Sequence, residues 1–139
     1  MVETVSVPCY VSCVSCGNGV PFFDGVEYKD VPVEYVKDLV YPLIVRISGS
    51  SMEPFYYNGD FVLVDLEAEP RNGDVILIFL NGEFFIKRLE FKNGKITLAS
   101  ANYLFPKIVL CDFDEWRIVG VCRKKLEGEK SNAKVFSTQ

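Results

Sequence analysis

The sequence contains no histidine among its 139 residues. That absence excludes every Ser–His–Asp and Cys–His nucleophile arrangement at once, and with them the histidine-rich catalytic zinc sites. A hydrolase built on this chain has to find its base among lysine, aspartate, glutamate or tyrosine. Positive charge is also scarce. Against 19 Asp and Glu stand 15 Lys and Arg, a formal net charge of −4. Direct nucleic-acid binding needs concentrated positive charge to displace phosphate counterions, so no direct DNA contact is expected. The longest purely apolar run, Val75–Leu80, is far too short to span a bilayer. The first residues carry Glu3 and no basic cluster ahead of an apolar core, so no secretion signal is read there. These features predict a soluble, cytoplasmic domain without a membrane anchor.

Five cysteines, an odd number, do not make a disulfide framework in a chain of this size. Cys13 and Cys16 form a lone C-x-x-C with Cys9 just ahead, but Cys111 and Cys122 are too far apart to supply a second pair. No metal and no cofactor are expected. The thiols read as small, semi-buried side chains in a reducing compartment.

Turn and strand signals dominate what is present. The first third, to about Tyr41, is poorly periodic and punctuated by Pro8, Gly17, Gly19, Pro21, Gly25 and Pro32. It reads as an extended arm with loops, with a short helix over 34–40. Beyond it, strands are predicted over 43–47, Phe61–Asp65, Val75–Leu80, 83–91, Lys95–Ala99, 109–111 and 117–123. Asn81-Gly82 and Asn93-Gly94 sit between apolar runs and predict type I′ hairpins, since both residues accept positive φ. The class is mainly β, organised as an arm over 1–30, a folded domain over 31–126 and a polar tail over 127–139.

Two local constellations carry chemistry. Ile47-Ser48-Gly49-Ser50-Ser51-Met52-Glu53-Pro54 joins a strand to what reads as a short helical turn, with Pro54 where a helix can begin. A serine there exposes its hydroxyl near free backbone N–H groups that can hold an oxyanion; alone, Gly-Ser-Ser is usually just a loop. The second is Lys87 in Phe85-Ile86-Lys87-Arg88-Leu89. Strand alternation puts it on one face with Phe85 and Leu89, and Arg88 on the other with Phe84 and Ile86. An ordinary lysine titrates near ~10.4 and is almost wholly protonated at neutral pH. Burial penalises the ammonium and frees the amine to act as a base. The bland alternative is a stem packed on the sheet with its head in water.

Together these blocks resemble the LexA-like (S24) self-cleaving peptidases, the group of LexA, UmuD and the phage CI-type repressors. The nucleophile block is similar to Ser50-Ser51-Met52-Glu53-Pro54 followed by Gly59-Asp60 and the apolar strand ending at Asp65. Asn72-Gly73-Asp74-Val75-Ile76, Phe85-Ile86-Lys87-Arg88-Leu89, the segment from Leu98 through Ser100 and Asn102 to Pro106, and Val119-Gly120-Val121 match further blocks in order. The resemblance runs from about Ser6 to Leu126. It implies a LexA-like fold of twisted antiparallel sheets with an N-terminal arm carrying the cleavage site. It implies Ser51 as nucleophile, Lys87 as general base, and the backbone N–H groups of Ser50 and Ser51 as oxyanion donors. Such proteins cut their own arm between a small residue and glycine. Val14-Ser15-Cys16-Gly17, preceded by Val7-Pro8, makes Cys16–Gly17 the candidate scissile bond.

The partners so implied are a second copy of the chain, a RecA–single-stranded-DNA filament that stimulates cleavage and, for a UmuD-like chain, a translesion polymerase in the SOS response. With few residues ahead of Cys16, the chain resembles UmuD; equally, it resembles the C-terminal half of a LexA or phage-type transcriptional repressor. A non-catalytic dimerisation and partner-binding module of the same fold is the competing reading. A signal-peptidase-like enzyme, which shares a Ser-Met block and a lysine base, is disfavoured because no membrane anchor is read in the chain.

Overall fold

Both Asn-Gly hairpins form. In the computed structural model, which describes residues 2–14 and 26–126, Asn81 and Gly82 adopt φ of 49° and 91°, and Asn93 and Gly94 adopt 53° and 75°. These turns close β5 (Val75–Leu80) on β6 (Glu83–Lys92), and β6 on β7 (Lys95–Ala99). The other described elements are β1 (Thr4–Val14), β2 (Val26–Pro32), α1 (Val33–Val36), β3 (Pro42–Ile47), β4 (Phe61–Asp65), β8 (Ile108–Val109) and β9 (Trp116–Leu126). The strands join in the order β2-β1-β3-β4-β9-β5-β6-β7-β8. The mainly β expectation holds, with one amendment. The sheet is mixed, because β1 runs parallel to β3 while every other pairing is antiparallel.

The N-terminal segment departs most from its expected form. Residues 4–14 are a strand inserted between β2 and β3, with Val7 and Cys9 almost wholly buried against Val31, Ile44 and Leu63. Pro8 was a misleading breaker. Toward β3 the first register partner is Cys9, so the missing proline N–H interrupts no pairing on that side. The helix expected over 34–40 is confined to Val33–Val36. Its continuation is lost because the N–H groups of Val40 and Tyr41 donate to the Asp65 carboxylate, at 3.1 and 3.0 Å, instead of to helix carbonyls.

The apolar runs are explained by burial on both faces. Leu43, Val45, Ile47, Val62 and Val64 share one core with Leu77, Phe84, Ile86 and Met52. Ile76, Ile78 and Leu80 on the other face of β5 pack with Leu89, Leu98 and Val121. Strand β9 lies between β4 and β5 and shifts register against each. At the crowded point sits Gly120, where a Cβ would meet Val64 Cγ1 at 2.6 Å and the Asp65 carbonyl oxygen at 2.8 Å.

Asp65, only 3% exposed, closes β4. Burial by itself would raise its carboxyl pKa. The N–H groups of Tyr41, Glu67 and Val40, aided by the charge of Arg123, outweigh that and hold it below the ordinary value. A depressed folded-state pKa contributes stability that is present at neutral pH and lost as pH falls through that value. Asp65→Asn is therefore expected to be less stable than wild type at pH 7 by denaturant titration. The gap should shrink as pH falls below the ordinary carboxyl value of 3.8; a gap independent of pH would contradict the assignment.

Candidate active site

The chain leaves β3 through Ser48, Gly49 and Ser50 and returns at β4, and the ends of this loop are fastened to each other. Ile47 N–H donates to the Asp60 carbonyl and Gly59 N–H to the Ile47 carbonyl, both at 2.8 Å. Gly49 takes a φ of 88°, which its missing Cβ permits, and its N–H donates to Asn58 Oδ1 at 3.0 Å. Within the loop, Met52 O accepts from both Phe55 N–H and Tyr56 N–H at 2.9 Å. This is one turn that is not propagated, so no helix starts at Pro54, and the Glu53–Pro54 bond is cis. The chain bends away instead, because Tyr57 N–H donates to the buried Asp60 carboxylate at 2.8 Å. Lys125 of β9 braces the turn from outside, with Nζ 3.3 Å from Phe55 O and 3.9 Å from Asp60 Oδ2. Burial, then the nearby Cys122 and Asp60, push the Tyr56 phenol up to about 12, so it stays neutral.

Ser51 opens this turn and is 7% exposed, with Met52 beneath it in the core. Its carbonyl accepts from Asn102 N–H at 2.9 Å, and the Ser50 carbonyl accepts from Asn102 Nδ2 at 3.1 Å. Ala101 N–H points at Met52 Sδ, 3.4 Å away. One peptide segment, 101–102, thus holds the serine turn at three points. Asn102 is shaped for this by its own bonds, its Oδ1 accepting from Leu104 N–H and its carbonyl from Phe105 N–H. Neither Ser50 N–H nor Ser51 N–H donates to another of the described residues.

Lys87 lies in β6 opposite Ile76. The alternation read from the sequence is present: Phe84 and Ile86 enter one core, Phe85 and Leu89 the other. Lys87 does not reach out to water; it is 6% exposed. Its Nζ donates to Ser100 Oγ at 2.8 Å, and the Phe105 ring centre lies 5.9 Å away. Among the described residues no carboxylate pairs with it. Burial draws its pKa below the ordinary lysine value. Glu90, three residues on, is held by Arg88 and Lys107 instead.

Ser50, Ser51 and Lys87 are therefore all anchored to residues 100–102. Ser100 and Asn102 were visible in the sequence only as part of a matching block, with no role attached. The Cys16–Gly17 bond lies outside the described residues, as does the tail over 127–139. The nearest described point on the arm is Val14, whose register partner in β3 is Ile47. Among the described residues Cys111 and Cys122 are free thiols, and no group of three or more His, Cys, Asp or Glu could hold a metal ion. No helix among them is long and apolar enough to cross a membrane.

A family model described as Peptidase S24-like matches residues 8–123. The chain belongs to that family. The match includes the serine turn, Lys87 and the 100–102 segment. Among curated relatives, the LexA repressor of Thermosipho africanus (strain TCF52B) is 28% identical over 120 residues, 85% of this chain and 60% of the relative. The LexA repressor of Clostridium botulinum (strain Hall) is 28% identical over 125 residues, covering 88% and 62%. That of Clostridium acetobutylicum is 26% identical over 120 residues, covering 85% and 57%. The S24-like chain thus spans about three fifths of the length of these relatives.

Proposed function

We propose that this S24-like domain cleaves its own Cys16–Gly17 bond with a Ser51–Lys87 dyad. Lys87 Nζ takes the Ser51 hydroxyl proton as the oxygen attacks the Cys16 carbonyl. The N–H groups of Ser50 and Ser51 hold the oxyanion, and Lys87 returns the proton to the departing Gly17 nitrogen. Water then hydrolyses the Ser51 ester, freeing the new carboxylate of Cys16.

The observation that carries this reading is the buried Lys87 amine, drawn toward its neutral form and tethered to the same short segment as the serine turn. The substrate assignment draws support from the parallel register of β1 and β3. Val14 lies opposite Ile47, and parallel neighbours run about 4.8 Å apart. Cys16 follows two residues after Val14 and Ser51 four after Ile47, a reach of roughly 7 and 14 Å when extended. At Val14 and Ile47 the two strands run in the same direction. Having both on one chain supplies a high effective concentration.

The relatives' name, LexA repressor, supports a place in a DNA-damage regulator, either as the C-terminal half of a repressor or as a UmuD-like polymerase accessory. In that role the domain pairs with a second copy and is cut on meeting a RecA–single-stranded-DNA filament. Incubating the purified chain over a series of pH values and weighing the products tests the chemistry. The neutral-amine fraction rises about tenfold per pH unit below the Lys87 pKa. Cleavage should climb accordingly and level off before the ordinary lysine value of 10.5, releasing a fragment that begins at Gly17. An intact mass at every pH would leave the interaction-module reading in possession of the fold.

A further inference from the structure

The hydroxyl that Lys87 bonds is that of Ser100, and its place is set by the sheet. Arg88 pairs with Ala99 across β6 and β7, so the next pair outward is Lys87 with Ser100, on one face. Their side chains meet at 2.8 Å. We propose that Ser100 is the positioning residue for the base: its Oγ holds one N–H of the Lys87 amine and thereby aims the lone pair at Ser51. This rests on the dyad reading above.

A neutral amine carries two N–H bonds and one lone pair in tetrahedral array. A long unbranched side chain gives that array no preferred direction, and the apolar surroundings offer few other acceptors. Accepting one N–H removes most of the rotational freedom about the terminal carbon–nitrogen bond. Ser100 Oγ can accept both before and after proton transfer, because the ammonium also presents an N–H there, and it holds the charged form more strongly. The bond therefore orients the base without competing for the lone pair. Two residues on, Asn102 grips the carbonyls of Ser50 and Ser51. One tripeptide thus registers the base and the nucleophile against each other. Titratable groups of the flanking segments include Glu53 and Tyr56 in the serine turn, Tyr103 and Lys107 in the loop after β7, and Arg88 and Glu90 on β6 itself. None of them is an ion-pair partner of Lys87, and desolvation is the cause of its lowered pKa.

The test uses the full chain with Ser100→Ala and Ser100→Thr. Ser100→Ala should remain folded, with self-cleavage slowed about 10- to 100-fold on its alkaline plateau. The midpoint of its pH–rate profile should move to lower pH, because the ammonium has lost an acceptor. Ser100→Thr, which keeps the hydroxyl, should recover most of both. In the uncleavable Ser51→Ala background, the Lys87 side-chain resonance followed by NMR should titrate at lower pH once Ser100→Ala is added. An active wild type whose rate and midpoint ignore Ser100→Ala overturns this role alone. So does a Lys87 titration indifferent to Ser100. Cleavage surviving Ser51→Ala but not Ser100→Ala exchanges the two serines and also overturns it. A wild type silent at every pH removes the peptidase reading and this role together.

Discussion

Ser51→Ala is expected to slow alkaline self-cleavage by at least about a thousandfold, and Lys87→Met by a similar factor, with the double variant little worse than either. The non-additivity follows from the proposed chemistry. A base with no hydroxyl to deprotonate and a hydroxyl with no base are equally inert. The two variants should differ in stability, however. Ser51→Ala removes one hydroxyl and should melt close to wild type. Lys87→Met replaces a buried amine with an apolar chain of similar length. Because the folded-state pKa of Lys87 lies below its unfolded value of 10.5, the wild-type unfolded chain binds a proton that the folded chain resists. Wild-type stability should therefore rise with pH between the lowered value and 10.5. Lys87→Met should lack that component and be at least as stable as wild type at neutral pH. Denaturant titrations at several pH values, beside mass spectra of the same samples, check both halves. A Lys87→Met chain that still releases a fragment starting at Gly17 would end the dyad assignment.

Gly120→Ala is the substitution expected to damage the fold most per atom added. The new methyl would have to occupy space already held by Val64 Cγ1 and by the Asp65 carbonyl oxygen. A side chain can rotate aside, but a backbone carbonyl in a paired strand cannot move without separating β4 from β9. Overpacking of this type costs about 1–3 kcal/mol. A domain of this size should then melt several degrees lower. The same variant should lose cleavage in parallel with folding, because β9 also carries Lys125, which braces the serine turn. An unchanged melting temperature would mean that β9 has a different path beside β4.

The sequence announced the hairpins and the strands of the later two thirds closely, because Asn-Gly turns and β-branched runs are local signals. It hid the first strand, whose apolar positions alternate with Ser6, Pro8 and Tyr10 and whose pairing partners lie outside it in the chain. The burial of Lys87 was legible as one side of a strand pattern, but its depth was not. The pattern does not reveal that the Phe105 ring approaches the amine. Ser100 could have been found. Counting outward from the two-residue turn at Asn93-Gly94, Lys92 faces Lys95 and Ser100 falls opposite Lys87. The grip of Asn102 on Ser50 joins residues 52 positions apart and leaves no local trace.

The placement of β1 has a consequence for what a cut would look like. A nick at the proposed bond leaves Thr4–Val14 hydrogen-bonded to strands on both sides, with Val7 and Cys9 still in the core. The halves would stay together as a split protein, co-eluting on a sizing column and separating only in denaturant. Cleavage here would release a tether rather than a piece, and whatever is attached ahead of β1 would remain docked until that strand peels out.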